Sequence, residues 1–208
     1  MDKIFYQTVC YKNIKVSYLP LLDKGGGRSF GQEYIRVIRE KVGKVDHIFE
    51  YCAGPGFIGF SLLSQELCNR LTLADINPDA VKACQRTIEE NHLEDRVSVY
   101  LSDCLDSIPL TEKWDLVVSN PPHFLTLLEE IHKRNIHSHD LDFRVHRKFY
   151  KNIKKFLKPD GSIIIQENSH SSKPQDFSVM ISEGGLEVVD VFHANRQSKF
   201  YFIWSKMK

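Results

Sequence analysis

Between Ile48 and Gly59 the chain reads Ile-Phe-Glu-Tyr-Cys-Ala-Gly-Pro-Gly-Phe-Ile-Gly, an apolar run, a turn of glycine and proline, and the start of a second apolar run. A strand that stops in a tight glycine turn and feeds a helix leaves the first backbone N–H groups of that helix unpaired. Glycine also lets a ligand come close to the main chain. The stretch therefore predicts a strand, a ligand loop and a helix, and the rest of the chain has to be compatible with that unit. Gly54, Gly56 and Gly59 spell GxGxxG, which alone is a weak signal; the residues downstream decide what the loop holds.

Downstream the pattern alternates. His47–Tyr51 predicts the first strand, Phe57–Leu67 its helix, and Arg70–Ala74 a second strand closed by Asp75. Asn77 and Pro78 are the cap and first-turn proline of a helix with Ala80, Val81, Cys84 and Ile88 on its apolar face. Val97–Leu101 is a third strand, ending at Ser102 and Asp103. Trp114–Ser119 is a fourth, apolar enough to be buried on both faces, and it runs straight into Asn120-Pro121-Pro122-His123. A polar, histidine-rich segment follows to about Asp140. Then come a helix over Phe143–Leu157, a turn at Pro159-Asp160-Gly161, a fifth strand over Ser162–Gln166 and a helix over Pro174–Glu183. Leu186–Ala194 and Lys199–Trp204 form an antiparallel pair.

Alternation of this kind gives a Rossmann-like, doubly wound, mainly parallel α/β sheet with a C-terminal antiparallel strand pair, binding its ligand at the carboxyl ends of the strands. Ahead of it stand a hairpin from Ile4–Tyr11 and Ile14–Leu19, a glycine-rich lip at Gly25–Gly27 and an amphipathic helix from Gln32 to Val42. The expected division is residues 1–31 for hairpin and lip and residues 32–208 for the main domain. A chain of 208 residues, 42% of them hydrophobic, suits a single core.

A net charge of +1 supplies no general field for nucleic acid or an anionic membrane. The N-terminus lacks a secretory pattern and the apolar runs are shorter than the ~18 residues of a membrane span, so a cytoplasmic protein without a membrane partner is expected. Five cysteines (Cys10, Cys52, Cys68, Cys84 and Cys104) are scattered without a CxxC pair and read as small buried residues. His132, His137, His139 and His146 have no recognised ligand spacing, and no metal is expected.

Asp75 follows Gly54 by about 21 residues, the spacing at which an acid at the end of the second strand accepts hydrogen bonds from a ribose diol. Asp103 occupies the same place on the third strand, where it either accepts from an adenine amino group or simply ends the strand. In Asn120-Pro121-Pro122-His123 the two prolines forbid helix and sheet bonding and fix the backbone. The Asn120 amide oxygen and the Pro121 carbonyl can then hold the two hydrogens of a planar –NH₂ group while the His123 ring stacks on its face. Glu167 and His170 follow the fifth strand and either border the cleft or, the favoured reading, belong to a surface loop.

These residues resemble the class I S-adenosylmethionine-dependent methyltransferases, and among them the amino-group enzymes with an Asn-Pro-Pro-Tyr motif, over roughly Gln32 to Lys206. Glu50 matches the acid that opens the first motif, Ala53, Gly54 and Gly56 its loop, Asp75 the ribose acid, Asp103 the adenine-site acid, and Asn120 to His123 the catalytic motif. The resemblance implies S-adenosyl-L-methionine as cofactor, with Ile76 and Cys104 beside the two acids and Asn120 also at the cofactor's edge. Cys52 stands in place of the usual first glycine of the loop. His123 replaces the usual Tyr or Phe, implying weaker stacking and a pH dependence. A small molecule or a peptide or protein side chain is the favoured acceptor. The alternative is adenine or guanine in nucleic acid, with Arg144, Arg147, Lys148 and the lysines of Lys151–Lys158 on phosphates. A nicotinamide-dependent oxidoreductase fits GxGxxG but leaves Asn120–His123 unexplained; a catalytically silent binding subunit is a third reading.

Overall fold

In the computed structural model, which describes residues 5–23, 27–123, 139–193, 195 and 198–208, two strands with almost no polar face organise the core. β3 (Val45–Tyr51) and β6 (Trp114–Ser119) run parallel, with Ile48 opposite Leu116 and Glu50 opposite Val118. Strands in the middle of a parallel sheet are covered on both sides, which is why Ile48, Phe49 and Tyr51 of β3 and Leu116, Val117 and Val118 of β6 are all buried. Around them lie β4 (Cys68–Asp75) and β5 (Val97–Leu101) on one side and β7 (Leu157–Asn168), β9 (Phe200–Met207) and β8 (Leu186–His193) on the other. The seven-stranded order is β5-β4-β3-β6-β7-β9-β8, with β9 antiparallel to both its neighbours.

Successive residues of one strand point to opposite faces, and here they feed two separate cores. Ile48, Leu116, Val118 and Ile164 pack with α1 (Gly27–Lys41), α2 (Phe57–Ser64) and α3 (Pro78–Glu90). Phe49, Tyr51, Val117 and Ile165 pack with α4 (Arg144–Ile153) and α5 (Pro174–Glu183). Trp114 is buried between Phe49, stacked at 3.9 Å, and Phe156 at 5.3 Å, a site where truncation to alanine costs about 3–5 kcal/mol. α2 is buried along its whole length because the N-terminal hairpin, β1 (Gln7–Tyr11) and β2 (Ile14–Tyr18), covers it. Tyr18 meets Phe57 edge to face at 5.2 Å. Ser17 N–H donates to Thr87 Oγ1 and Lys15 N–H to Asn91 Oδ1, both at 2.9 Å, fastening the hairpin to α3 and its C-cap residue.

Asn77 caps α3 as expected, its side chain accepting from Asp79 N–H at 3.0 Å. Three expectations change. The turn at Pro159-Asp160-Gly161 lies inside β7: the step from Trp114 to Leu116 is matched by a step from Leu157 to Ser162, so these residues form a wide bulge in a continuous strand. A Cβ on Gly161 would sit 2.9 Å from Lys158 O and 3.0 Å from Trp114 O, so the bulge excludes larger residues. The helix expected to reach Leu157 stops at Ile153 and tightens into a 3₁₀ turn over Lys154–Phe156, releasing Leu157 into β7. Among the cysteines, Cys10 is exposed on the hairpin. Gly25 and Gly26 of the lip lie outside the described residues; α1 begins at Gly27. No helix among the described residues is long and apolar enough to cross a membrane.

Candidate active site

The helices α2 and α4, the next described after β3 and β6, belong to different cores, which makes these adjacent strands the switch point where such a sheet has its ligand crevice, at their carboxyl ends. β3 delivers the glycine loop to this crevice and β6 delivers Asn120-Pro121-Pro122-His123.

On the loop side the geometry is made by backbone. Cys52, Gly54 and Gly56 all have positive φ (53°, 53° and 77°), and Gly56 N–H closes the turn onto Ala53 O at 2.8 Å. Ala53 N–H donates to Ala74 O at 3.0 Å, tying the loop to β4. The Asp75 carboxylate accepts from Gly54 N–H at 2.7 Å through one oxygen and from Asn77 N–H at 2.8 Å through the other. It therefore braces the loop and the start of α3 together. A Cβ on Gly54 would meet nothing within 4 Å, so the space beside this glycine is open. Gly59 is different: its Cβ would lie 2.7 Å from Glu50 Oε2, which accepts Gly59 N–H at 2.6 Å. Glu50 is thus buried beneath the loop against the first turn of α2. Burial pushes its pKa up to about 8, against the Gly59 and Ile58 N–H groups, which pull it down.

At the end of β5, Asp103 is exposed and pairs with Lys148 of α4 at 2.7 Å; the same ammonium holds Asp106 at 2.6 Å. Lys148, expected as a phosphate contact, is engaged by these two acids. Cys104 is buried with φ 58°, and Ile76 and Leu101 are exposed apolar side chains at the same end of the sheet.

The motif side is made by side chains from distant parts of the chain. Pro121 is buried, and Asn120, Pro122 and His123 are half-buried. The residue before them is pinned twice. Ser119 O accepts from the Tyr34 hydroxyl of α1 at 2.5 Å, and Ser119 Oγ donates to Tyr51 O. His123 Nε2 lies 2.6 Å from Asn120 Oδ1, and its Nδ1 lies 3.2 Å from Glu167 Oε2. The other oxygen of Glu167 meets His146 Nε2 at 2.8 Å, and His146 Nδ1 meets Asp140 Oδ2 at 2.5 Å. Asp140 in turn accepts Val145 N–H at 2.8 Å and His146 N–H at 3.2 Å at the start of α4. A chain of polar groups thus runs from Asn120 through His123, Glu167 and His146 to Asp140, the last three fully buried.

Burial opposes charge on His146, yet the Glu167 and Asp140 carboxylates overcome it and raise its pKa to about 9. Burial likewise opposes ionisation of Glu167, and the His146 and His123 rings override it, holding the acid below its ordinary value. Glu167 corrects the surface-loop expectation. β9 pairs with β7 as far as Asn168 opposite Phe200, so the strand continues two residues beyond Gln166 and turns Glu167 inward. His146 carried a readable signal, because it shares the apolar stripe of α4 with Phe149, Tyr150 and Ile153. His132 and His137 lie outside the described residues.

The family model described as methyltransferase small domain matches residues 34–184. The release factor glutamine methyltransferase of Clostridium acetobutylicum is 29% identical over 153 residues, covering 68% of this chain and 53% of that protein. The ribosomal RNA small subunit methyltransferase C of Actinobacillus pleuropneumoniae is 29% identical over 121 residues, covering 58% and 36%. The chain spans from about a quarter to about half of the length of the first curated relatives it matches. Among solved structures, a glycopeptide N-methyltransferase complexed with S-adenosyl-L-methionine has the same fold, with a TM-score of 0.63 at 13% identity over 88% of this chain and 94% of that one.

Proposed function

The chain belongs to the methyltransferase small domain family, and from that premise we propose that it transfers a methyl group from S-adenosylmethionine to a planar amino or amide nitrogen. The observation that carries this reading is the meeting of the open glycine loop and Asn120-Pro121-Pro122-His123 at the carboxyl ends of two adjacent strands. Family membership sets the nicotinamide reading aside.

The residues present fit the cofactor. The open space at Gly54 admits a ligand to the main chain, Asp75 offers a fixed carboxylate at ribose spacing, and Ile76 with Asp103 and Cys104 offers an apolar wall and an acceptor for an adenine. Cys52, Ala53 and Gly56 shape the turn, and Glu50 supports it from below. When bound, S-adenosylmethionine supplies an electrophilic methyl carbon on a sulfonium. The protein's part is alignment. Asn120 Oδ1 and Pro121 O accept the two hydrogens of the acceptor nitrogen, turn its lone pair out of conjugation and stabilise the positive charge that grows on it. Ser119, held by Tyr34 and Tyr51, keeps these acceptors in place.

For the acceptor we favour a peptide or protein side-chain amide, or a small molecule with the same group, over a nucleic-acid base. The net charge is +1, and Lys148 is already paired with Asp103 and Asp106. One relative acts on a release factor glutamine and another on ribosomal RNA, so the test must separate the two classes. Labelled methyl from S-adenosylmethionine, transferred by the full chain into fractionated lysate, should survive nuclease treatment, and should be lost on protease treatment for a peptide or protein acceptor but not for a small molecule. Loss on nuclease treatment would redirect the assignment to nucleic acid. Cofactor binding with no transfer into any fraction would leave only the silent-subunit reading. We further propose a cytoplasmic location, with the β1–β2 hairpin acting as a cap on the methyltransferase domain.

A further inference from the structure

Asn120 Oδ1 and His123 Nε2 lie 2.6 Å apart, in the segment that also carries the Pro121 carbonyl. The amide oxygen is only an acceptor. An unprotonated Nε2 is an acceptor too, and two lone pairs do not face each other at that distance without a proton between them. At 2.6 Å the proton is the imidazole's own, and a substrate N–H reaches these atoms only once Nε2 has given that proton up and the two have moved apart. An aromatic carbocycle at position 123 could not alternate in this way.

Groups from several elements face His123. Glu167 of β7 faces Nδ1, Asn120 faces Nε2, and Phe200 of β9 contributes an uncharged ring at 6.1 Å. Behind Glu167 stand His146 of α4 and, beyond it, Asp140, while burial keeps the nearby Tyr150 and Tyr201 phenols neutral. Two buried carboxylates thus face one buried imidazolium, leaving one unbalanced negative charge in a site shielded from water. Glu167 also anchors Nδ1–H, so the lone pair of the neutral ring is directed through Nε2 toward Asn120.

We propose that His123 is the catalytic base of the transfer, taking on Nε2 the proton that the acceptor nitrogen sheds, with Glu167 and the His146–Asp140 pair as positioning residues. The inference rests on the methyl-transfer reading and adds a step to it. As the acceptor nitrogen forms its new bond to the methyl carbon, the carbon–sulfur electron pair stays on sulfur. An N–H bond of the substrate then breaks, its electron pair remains on nitrogen, and the proton passes to Nε2. The ring becomes an imidazolium that donates to Glu167 and to Asn120 Oδ1, the arrangement of contacts seen in the structure. The Nε2 proton returns to solvent when product leaves. The acceptor must therefore carry a removable hydrogen, as a primary amide or arylamine does and a tertiary amine does not.

The first test needs neither cofactor nor acceptor. Nitrogen-15 spectra of the His123 ring in the full chain, assigned against His123→Phe, should show a neutral Nδ1–H ring at alkaline pH that gains its second proton at Nε2 on acidification. In Glu167→Gln the neutral ring should move toward the Nε2–H form. A wild-type ring that keeps its proton on Nε2 at alkaline pH would overturn the proposal, because that atom could not act as base. The second test uses the lysate fraction that accepts label. His123→Phe should lower kcat about 100-fold or more, keep the KM for S-adenosylmethionine within about twofold, and lose the acid limb of the rate profile. Unchanged kcat and an unchanged profile would overturn it. If the wild-type protein labels no fraction, the methyl-transfer reading fails, and the ring tautomer still decides whether Nε2 is a base.

Discussion

The two sides of the crevice are built on different principles. The loop side is backbone: glycines, positive φ angles and one carboxylate bracing two N–H groups, all within a short stretch of chain. The motif side is a relay of ionisable side chains in which His123 reaches Glu167 across 44 residues and Glu167 reaches His146 across 21. Each side contains one buried glutamate. Burial, with the Asp75 carboxylate adding to it, raises the Glu50 pKa to about 8 against two backbone N–H groups, whereas Glu167 lies between two imidazoles and is held below its ordinary value. Near neutral pH the same side chain serves as an acid on one side and as a carboxylate on the other.

Substitution by glutamine should expose that contrast most sharply. Glu167→Gln leaves the His146 charge paired with Asp140 alone and weakens the hydrogen bonds to two imidazole rings, and should cost about 1.5–3 kcal/mol in denaturant unfolding. Glu50→Gln keeps an acceptor for Gly59 N–H and should cost about 1 kcal/mol. Equal losses would erase the distinction. On function the sides should separate by parameter. Asn120→Ala should lower kcat by about 10²–10³-fold and leave cofactor affinity, read by calorimetry, within about twofold. Asp75→Ala should weaken cofactor binding by about 10-fold or more, the loss of hydrogen bonds to a charged group.

The pH dependence of stability should divide as well. The His146 pKa is raised from 6.5 to about 9 in the folded protein. Its stabilisation is therefore fully present below about pH 6.5 and is lost as pH rises through about 9. Glu50, raised from 4.5 to about 8, loses its contribution over a lower window ending near pH 8. Unfolding midpoints measured from pH 5 to 10 should fall toward alkaline pH, with the later part of the fall absent in His146→Gln and the earlier part absent in Glu50→Gln. The smallest effect belongs to Cys52, a non-glycine residue at φ 53°. Cys52→Gly removes that strain at the expense of chain entropy and should stabilise by less than about 1 kcal/mol. A clear loss would show that the thiol packs more than the backbone strains.

What could be read in the sequence follows the same division. The loop, the 21-residue step to Asp75, the Asn77-Pro78 helix start and the Asn120–His123 motif all rest on local spacing, and local spacing is visible in a linear string. The relay was not visible. Glu167 looked like loop because nothing near it shows that β9 pairs with β7 as far as Asn168. Asp140 joins the site only through the helix it precedes, and His146 was weighed as a metal ligand although its place among Phe149, Tyr150 and Ile153 marked it as buried. The same blindness to pairing made a turn of Pro159-Asp160-Gly161, since a bulge and a turn use the same residues and differ only in the partner strand.

The bond between Ser119 and Tyr51 joins residues 68 apart, in two strands that are neighbours in the sheet and distant in the chain. On a ribosome adding about 5–20 residues per second, β3 and its loop would wait roughly 3–14 s for β6 to emerge. During that interval β4 emerges and the loop can rest on it, whereas Asn120, once made, still waits for β7 to bring Glu167. The glycine loop is therefore older, by seconds, than the motif it faces in every molecule made.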